Sequence, residues 1–596
     1  MAEPRTLPDL FALWRKATPT PALIDARGGR EVRIPAPAVA RRVAGLAQGL
    51  AARGVGAGDR VALLMDNRPE WHIVDMALQH LGALNVAVYT TLLPPQIAVI
   101  LSDSGARALV VDSPEQLAKI LEIRGELPAL QELILIDGTP PPGVTPFAEV
   151  VRDVDDAEAD RFLEERRAAV EPGAMATLIY TSGTTGTPKG AILTQDNFVF
   201  DAVAGASFEP WNPGEAEVAL SFLPLSHVLE RLVDYIYFYE KLSIAYCGVL
   251  ELGEALGRVR PHVFTAVPRV YEKIYDRIFE EVGHAPRLKR ALFHRAVDVA
   301  LKSRRSGHRG LAYALYDTLV YRKLRAAFGG RVRFSISGGA PLAVFVGEFF
   351  HAVGVNVLEG YGLTETSPVI SVNRYERPRL GTVGEVLPGV EVRFGPDGEI
   401  FTRGRHVMRG YWNKPDETAA VLDGEGWFAT GDIGEMDPDG YLRITDRKKD
   451  LIVTAGGKNV APQPIENDLK ASPLIENAVL FGDKKPFIVA LVVPAFEELE
   501  RRAAAAGVAA TDREVLVEEP RVLALYQKLI DEVNAGLARY ETIKKFRLVP
   551  VPFTQDGGEL TPTLKVKRRV VEKRYAGLLD EMYSEPRDAG RESGHE

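Results

Sequence analysis

The segment Tyr180–Gly190, YTSGTTGTPKG, lies between two short apolar runs, Ala176–Ile179 (ATLI) and Gly190–Thr194 (GAILT). Its eleven residues include three glycines, four threonines, one serine and one lysine. Glycines let successive backbone N–H groups turn toward an anion, hydroxyls add donors, and the lysine adds charge. The order is not that of a P-loop, which requires G-x-x-x-x-G-K-[ST] and a following helix. Here Pro188 biases Thr187 toward extended backbone, and GAILT continues as a strand. The loop therefore joins two strands and can close over a triphosphate. A flexible Ser/Thr/Gly linker is the plain alternative, but linkers seldom sit between two apolar strands with an embedded Pro-Lys. The anion-binding candidates are Thr181, Ser182, Gly183, Thr184, Thr185, Gly186 and Lys189.

Upstream of the loop, apolar runs alternate with helical stretches. Arg60–Met65, Asn85–Val88, Arg107–Asp112 and Glu132–Asp137 read as strands. Pro69–Gly82 and Pro94–Ser104 read as helices, the first opened by its proline and the second ended by a capping Ser104. This alternation predicts parallel strands covered on both faces. Asp137–Pro146 reads as a loop. Downstream, Thr265–Phe328 is a long Arg-, Tyr- and Leu-rich helical stretch, after which Val332–Ser337 and Val355–Glu359 resume the strand pattern. Glu435–Ile444 reads as a hairpin turning at Pro-Asp-Gly. The texture changes after Asp446–Asp450 (DRKKD), which sets a domain boundary at Lys449. Beyond it come short strands at Ala478–Phe481 and Ile488–Val493, a helix near Leu525–Arg539 and a basic helix from Val566. The tail from Ser584 lacks apolar periodicity and reads as disordered. The domains expected are thus 1–448, with a helical insertion at about 265–330, then 449–583 and the tail 584–596.

With 596 residues the chain exceeds a single core, and its 46% hydrophobic and 26% charged residues are an ordinary globular profile. No run of 18 apolar residues and no secretory leader is visible. A single cysteine, Cys247, excludes an internal disulfide and a thiolate cluster, which fits a cytoplasmic protein. The net charge of −9 argues against nucleic acid as a partner. Residues 258–333 nevertheless carry 18 Lys and Arg against 6 Asp and Glu, a local excess of 12. Solvated helix faces and an anionic-membrane patch explain that excess equally well.

The loop resembles the signature of the AMP-forming adenylate-forming enzymes, which include acyl-CoA synthetases, peptide-synthetase adenylation domains and beetle luciferases. Further segments match that family in order along most of the chain. Ser337–Leu342 (SGGAPL) and Glu359–Glu365 (EGYGLTE) match its adenine pocket, implicating Gly338, Gly339, Ala340, Gly360, Tyr361 and Gly362. The resemblance makes Thr364 a donor to the α-phosphate and Glu365 the Mg²⁺ ligand, suited to a hard cation. Asp432 in WFATGD and Arg447 in DRKKD match the residues that reach the ribose, and Lys449 the hinge. Gly456 and Gly457 match the stretch lining the thiol's route, and Lys565 in Leu560–Arg569 (LTPTLKVKRR) the catalytic lysine. Many members have glycine before that lysine; here Leu564 stands there, and Lys567 competes for the role. His227 in LPLSHVLE borders the family's acyl pocket, although a core or capping histidine is nearly as good a reading. Tyr235, Tyr237 and Tyr239 fit an acyl tunnel or core packing equally.

The resemblance implies an α/β fold: a large N-terminal domain of two αβαβα subdomains with a small distorted β-barrel, then a small mobile α+β domain. It implies ATP, Mg²⁺ and coenzyme A, with a fatty acid as the substrate of a long-chain acyl-CoA ligase. The long Arg-rich insertion and TPTLKVKRR carry that subclass. A fatty carboxylate would attack the α-phosphorus of ATP, expelling pyrophosphate; the thiol would then attack the acyl carbon and expel AMP. A carboxylate needs no general base, which agrees with motifs holding glycines, hydroxyls, one lysine and one metal carboxylate. Two other classes remain open: a ligase loading a carrier protein in trans, and a non-catalytic adenylate-binding or membrane-scaffold protein. The expected location is cytoplasmic, with peripheral contact at the inner membrane surface through Arg258–Arg333, and a homodimer is one assembly state to test.

Overall fold

A computed structural model describes residues 3–17, 22–181, 188–208, 211, 217–505, 507–508, 512–554, 557–560 and 566–584. Ser182–Gly186 and Lys565 lie outside the described residues, as does the expected disordered tail from residue 585 onward.

Two large mixed sheets form the N-terminal region. One runs, in spatial order, Glu385–Val386, Val369–Val372, Asn356–Gly362, Phe334–Ser337, Val263–Ala266, Val218–Ser221, Ser243–Tyr246, Ala22–Asp25 and Val32–Pro35. Its middle is parallel and its edges antiparallel. The other runs Gly410–Tyr411, Lys189–Thr194, Met175–Thr181, Leu84–Val88, Arg60–Leu64, Ala108–Val111, Glu132–Leu135 and Thr145–Pro146. Successive residues of a strand enter different cores. Val263 and Phe334 face one apolar cluster while Phe264 faces another; Val61 and Leu63 face the first, while Ala62 and Leu64 face a third. The first cluster is thus shared by both sheets, with helices Leu7–Arg15, Ala36–Ala52, Pro69–Leu81 and Val228–Tyr239 packed between them. Burial on both faces is why these strands read as continuous apolar runs.

The barrel-like unit takes the form of a four-stranded antiparallel sheet, Glu391–Phe394, Glu399–Arg403, Phe428–Met436 and Leu442–Arg447. It is tied to the edge of the nine-stranded sheet by Val383 N donating to Leu442 O (2.8 Å) and Leu442 N donating to Gly384 O (2.8 Å). Beyond it, the strands Ile475–Phe481, Ile488–Pro494 and Ile543–Leu548 build a three-stranded sheet. Ile488, Ala490 and Val492 enter one cluster and Val489, Leu491 and Val493 another, so this unit has cores of its own.

Local chemistry corrects several sequence expectations. Helix Pro94–Ser104 is ended by Gly105 at φ 60°, the left-handed cap that glycine favours, whereas the Ser104 hydroxyl donates back to Leu101 O. The loop after Asp137 closes on a two-residue strand, Thr145–Pro146. The helix placed near Leu525–Arg539 spans Pro520–Asn534, because Pro520 suits the first helical turn. Val566 bridges to Leu560, and the basic helix begins at Arg568. Ser584 ends a helix, Ala576–Ser584. Thr265 is a strand residue; the helices of the insertion are Pro268–Gly283, Arg287–Ser306, Leu311–Tyr316 and Arg322–Ala326, joined by a π-turn at Asp317–Tyr321.

Tyr235 and Tyr237 are fully buried on helix Val228–Tyr239. The Tyr235 hydroxyl donates to Asp75 Oδ2 (2.5 Å), and Arg231 donates to Asp75 Oδ1 (2.7 Å), Thr177 Oγ1 (2.7 Å) and Tyr235 Oη (2.7 Å). This network, wholly shielded from water, pins that helix to helix Pro69–Leu81 and to the strand that leads into the phosphate loop. Removing one partner of such a pair leaves a buried charge uncompensated. Asp75→Ala is expected to lower stability by about 3–5 kcal/mol, read as a fall in the urea midpoint of the chain. A loss below about 1 kcal/mol, the range of exposed pairs, would show that Arg231 does not depend on Asp75.

Candidate nucleotide and acyl site

Parallel strands deliver their carboxyl ends to one edge, where α/β folds bind ligands. The strand Phe334–Ser337 ends at Gly338–Ala340, and the strand Asn356–Gly362 ends in Gly360, Tyr361 and Gly362. Glycine is required at Gly362, where an added Cβ would stand 1.6 Å from Pro368 O, and at Gly339, whose φ is +84°. The two segments are tied by Glu359, whose Oε2 accepts from Leu342 N (3.2 Å).

Both segments open onto a continuous cavity of about 3420 Å³ between the N-terminal sheets and the C-terminal unit. It brings together Thr181, Lys189, His227, Gly338, Gly339, Ala340, Gly360, Tyr361, Gly362, Thr364, Glu365, Asp432, Arg447 and Lys449. Thr181 and Lys189 are direct cross-strand partners, so the two ends of the phosphate loop meet in a hairpin, as expected. Gly456 and Gly457 are not brought in: they form the exposed turn between Ile452–Val453 and Asn459–Val460. Lys567 and Arg568 do line the cavity.

Asp432 and Arg447 face each other across an antiparallel pair, with Arg447 Nε 2.9 Å from Asp432 Oδ1. The Tyr361 hydroxyl donates to Asp432 Oδ2 (2.7 Å). Burial first, and then the Asp432 charge, hold that phenol far above its usual range, so it stays a donor. Burial works against the Arg447 charge, but the Asp432 carboxylate beside it prevails and raises its pKa. Next along the chain, Lys448 Nζ reaches Asp397 Oδ2 (2.8 Å) and Glu399 Oε2 (2.6 Å). Those contacts fix the chain up to Lys448, whereas the Lys449 N–H donates to no acceptor among the described residues.

Glu365 Oε1 accepts from the Tyr411 hydroxyl (2.8 Å), and Lys189 Nζ stands 5.3 Å from the centre of the same tyrosine ring. Tyr411 therefore joins the loop lysine to the carboxylate, a role not assigned from sequence; its only signal is the short segment RGYWNKP. No trio of His, Cys, Asp or Glu able to hold a metal occurs among the described residues. A Mg²⁺ ion here would take Glu365 Oε2 and complete its shell with phosphate oxygens and water, as this cation commonly does. His227 combines two of its readings: Nδ1 accepts from Leu229 N (3.2 Å), capping helix Val228–Tyr239, and the residue also lines the cavity. Cys247 is buried, its thiol pushed up to about 12 by burial, so it offers no nucleophile.

Burial raises the Glu359 carboxyl from 4.5 to about 7, against the opposing backbone donors Leu342 and Gly381. A raised carboxyl binds its proton more tightly when folded, so its contribution is complete below pH 4.5 and lost as pH climbs through about 7. Glu359→Gln, which keeps an acceptor without the charge, is expected to gain stability relative to the parent as pH rises across that window. Urea midpoints measured at both ends of the window check this; a difference that does not change with pH would mean that Glu359 is ordinarily ionised.

The sequence profile of the AMP-binding enzyme family matches residues 14–412, and that of the AMP-binding enzyme C-terminal domain matches residues 449–587. The chain is 40% identical over 557 residues to the long-chain-fatty-acid–CoA ligase FadD15 of Mycobacterium bovis, covering 91% of each chain. It is 33% identical to the peroxisomal long chain acyl-CoA synthetase 7 of Arabidopsis thaliana, covering 91% of this chain and 80% of that one. Among solved structures, the adenylation domain of a Mycobacterium chelonae carboxylate reductase superposes with a TM-score of 0.73 at 24% identity, covering 97% of this chain and 91% of that one. The anthranilate CoA ligase AuaEII superposes with a TM-score of 0.71 at 20% identity, covering 97% and 98%. The matched span, the two large sheets and the ordered loops around one cavity together make this chain a member of the AMP-binding enzyme family.

Proposed function

We propose that the protein is a long-chain fatty acid–CoA ligase that forms AMP. The observation that carries this reading is the composition of the single cavity. Its lining holds Lys189, Thr364, Glu365, Asp432 and Arg447 and also Trp211, Leu229, Val233 and Ile236. A nucleotide suits the first and an alkyl chain the second. The curated relatives named for long-chain acyl-CoA formation support the same substrate class.

In this reading Asp432 and Arg447 take the ribose, and Gly338–Ala340 with Gly360–Gly362 take the adenine. Thr181 to Gly186 and Lys189 embrace the β- and γ-phosphates, and Thr364 donates to the α-phosphate. Mg²⁺, when bound, offsets charge on the phosphate oxygens, and Glu365 orients it. The fatty carboxylate attacks the α-phosphorus; the O–P bond to pyrophosphate breaks, leaving an acyl-adenylate. Lys565 supplies positive charge to the oxygens in this transition state, with Lys567 as the competing candidate. The coenzyme A sulfur then attacks the acyl carbon, its proton passes to solvent, and AMP leaves. Catalysis is positioning and charge stabilisation throughout.

The domain division belongs to this proposal: 1–448 carries the nucleotide and acyl sites, and 449–583 rotates about Lys449 between half-reactions. Two features support a pivot there, the anchoring of Lys448 and the Lys449 N–H, which donates to no acceptor among the described residues. Such a rotation would bring Gly456 and Gly457 from their exposed turn toward the thiol's route.

The test is AMP release across acids from acetate to oleate, with coenzyme A or a phosphopantetheinylated carrier protein as acceptor. Long-chain acids with coenzyme A are expected to be preferred; preference for the carrier, or no acid-dependent AMP, would overturn the reading. In the same assay Lys565→Ala should slow adenylation by about 10²–10³-fold and spare thioester formation from preformed acyl-adenylate. An equal fall in both steps would move the role to Lys567.

A further inference from the structure

The strand that leaves the phosphate loop, Lys189–Thr194, has a short neighbour that also touches Glu365. Gly410 and Tyr411 pair antiparallel with Ile192 and Ala191, Arg409 N donates to Ile192 O (3.0 Å), and Trp412 N donates to Gly190 O (2.7 Å). At the start of the same segment, Met408 N donates to Glu365 O (2.8 Å). Residues 408–412 therefore hold the backbone of Glu365 and the strand of Lys189 in one register. The segment is itself fixed from outside. Tyr411 N donates to Thr418 Oγ1 (2.9 Å), and the Trp412 indole N–H donates to Asp103 O (3.1 Å).

On this platform the Tyr411 side chain stands between two opposite charges. Its hydroxyl donates to Glu365 Oε1 (2.8 Å), and Lys189 Nζ lies 5.3 Å from its ring centre. Lys189 and Glu365 both line the cavity, yet they form no ion pair within 4.0 Å. Opposite charges facing one cavity attract, more strongly than in bulk water. A direct pair would occupy the ammonium and the carboxylate that the ligase reading gives to phosphate and Mg²⁺. Tyr411 opposes such a pair in two ways. The hydroxyl engages one carboxylate oxygen and leaves Oε2 to a metal. The ring gives the ammonium an attractive partner that is not an anion. Packing against the core shared by the two large sheets would be met equally by phenylalanine; the hydroxyl serves Glu365.

We propose that Tyr411 is a positioning residue that keeps Lys189 and Glu365 apart, so that both charges are free for the metal–nucleotide substrate when it arrives. The roles of Lys189 and Glu365 rest on the ligase reading; their separation rests on the contacts above. Hydrogen bonds of this kind orient metal-binding carboxylates, and removing one lowers metal affinity by about 10–100-fold.

The test measures nucleotide binding by the full chain without acid or coenzyme A. Binding of Mn²⁺-ATP is read from the relaxation of water protons, and binding of metal-free ATP in EDTA from calorimetry. Tyr411→Phe, which keeps the ring, should weaken Mn²⁺-ATP by about tenfold or more and leave metal-free ATP little changed. Tyr411→Leu removes the ring as well and lets Lys189 close on Glu365, so metal-free ATP should weaken too, by about fivefold. Adding Glu365→Gln to the leucine variant should restore metal-free ATP binding, because the amide offers Lys189 no charge. Equal weakening of both ligands by Tyr411→Phe, or a leucine variant that Glu365→Gln does not rescue, would assign Tyr411 to packing alone and overturn the proposal. Those two outcomes leave the ligase reading intact, whereas a parent that binds neither form of ATP would overturn both.

Discussion

Asp432 accepts from the Tyr361 hydroxyl at 2.7 Å and pairs with the Arg447 guanidinium at 2.9 Å, and the site is organised around that junction. Tyr361 belongs to a strand of the nine-stranded sheet; Asp432 and Arg447 belong to the four-stranded sheet. Two residues after Arg447 the chain reaches Lys449. One buried carboxylate thus ties a strand of the nine-stranded sheet to two strands of the four-stranded sheet. A charge taken from water is tolerable only when paired in this way.

A second constraint is that one cavity carries both polar and apolar lining residues. Helix Val228–Tyr239 turns Leu229, Val233 and Ile236 toward the cavity, and commits Arg231 and Tyr235 to the buried contact with Asp75. That helix is therefore anchored from behind by a polar network, and His227 caps its first turn.

What could be read in the sequence was what depends on local backbone chemistry. The two-strand setting of Lys189 and the hairpin at Glu435–Ile444 follow from residue types at fixed spacing, whereas Gly339, Gly362, Asp432 and Arg447 are singled out by the family resemblance. What could not be read depends on contacts between distant segments. Tyr411 meets Glu365 and Lys189 only because Gly410–Tyr411 adds an edge to the eight-stranded sheet. Tyr235 fitted a tunnel as well as a core until its partner at Asp75, far away in sequence, decided between them, and Tyr237 is settled by its complete burial in the shared core. Gly456 and Gly457 lie outside the cavity because they form the exposed turn between two short strands. The helix ends at Ser104 as expected, but its cap is the following Gly105, since serine caps helices at the opposite end.

The central claim is that this cavity joins a carboxylate to the α-phosphate of ATP before any thiol takes part. Exchange of labelled pyrophosphate into ATP, followed without coenzyme A, tests that step in isolation. The account predicts exchange that requires a long-chain fatty acid and Mg²⁺ and that is lost in Asp432→Ala. Exchange independent of the acid, or appearing only once coenzyme A is added, would contradict it.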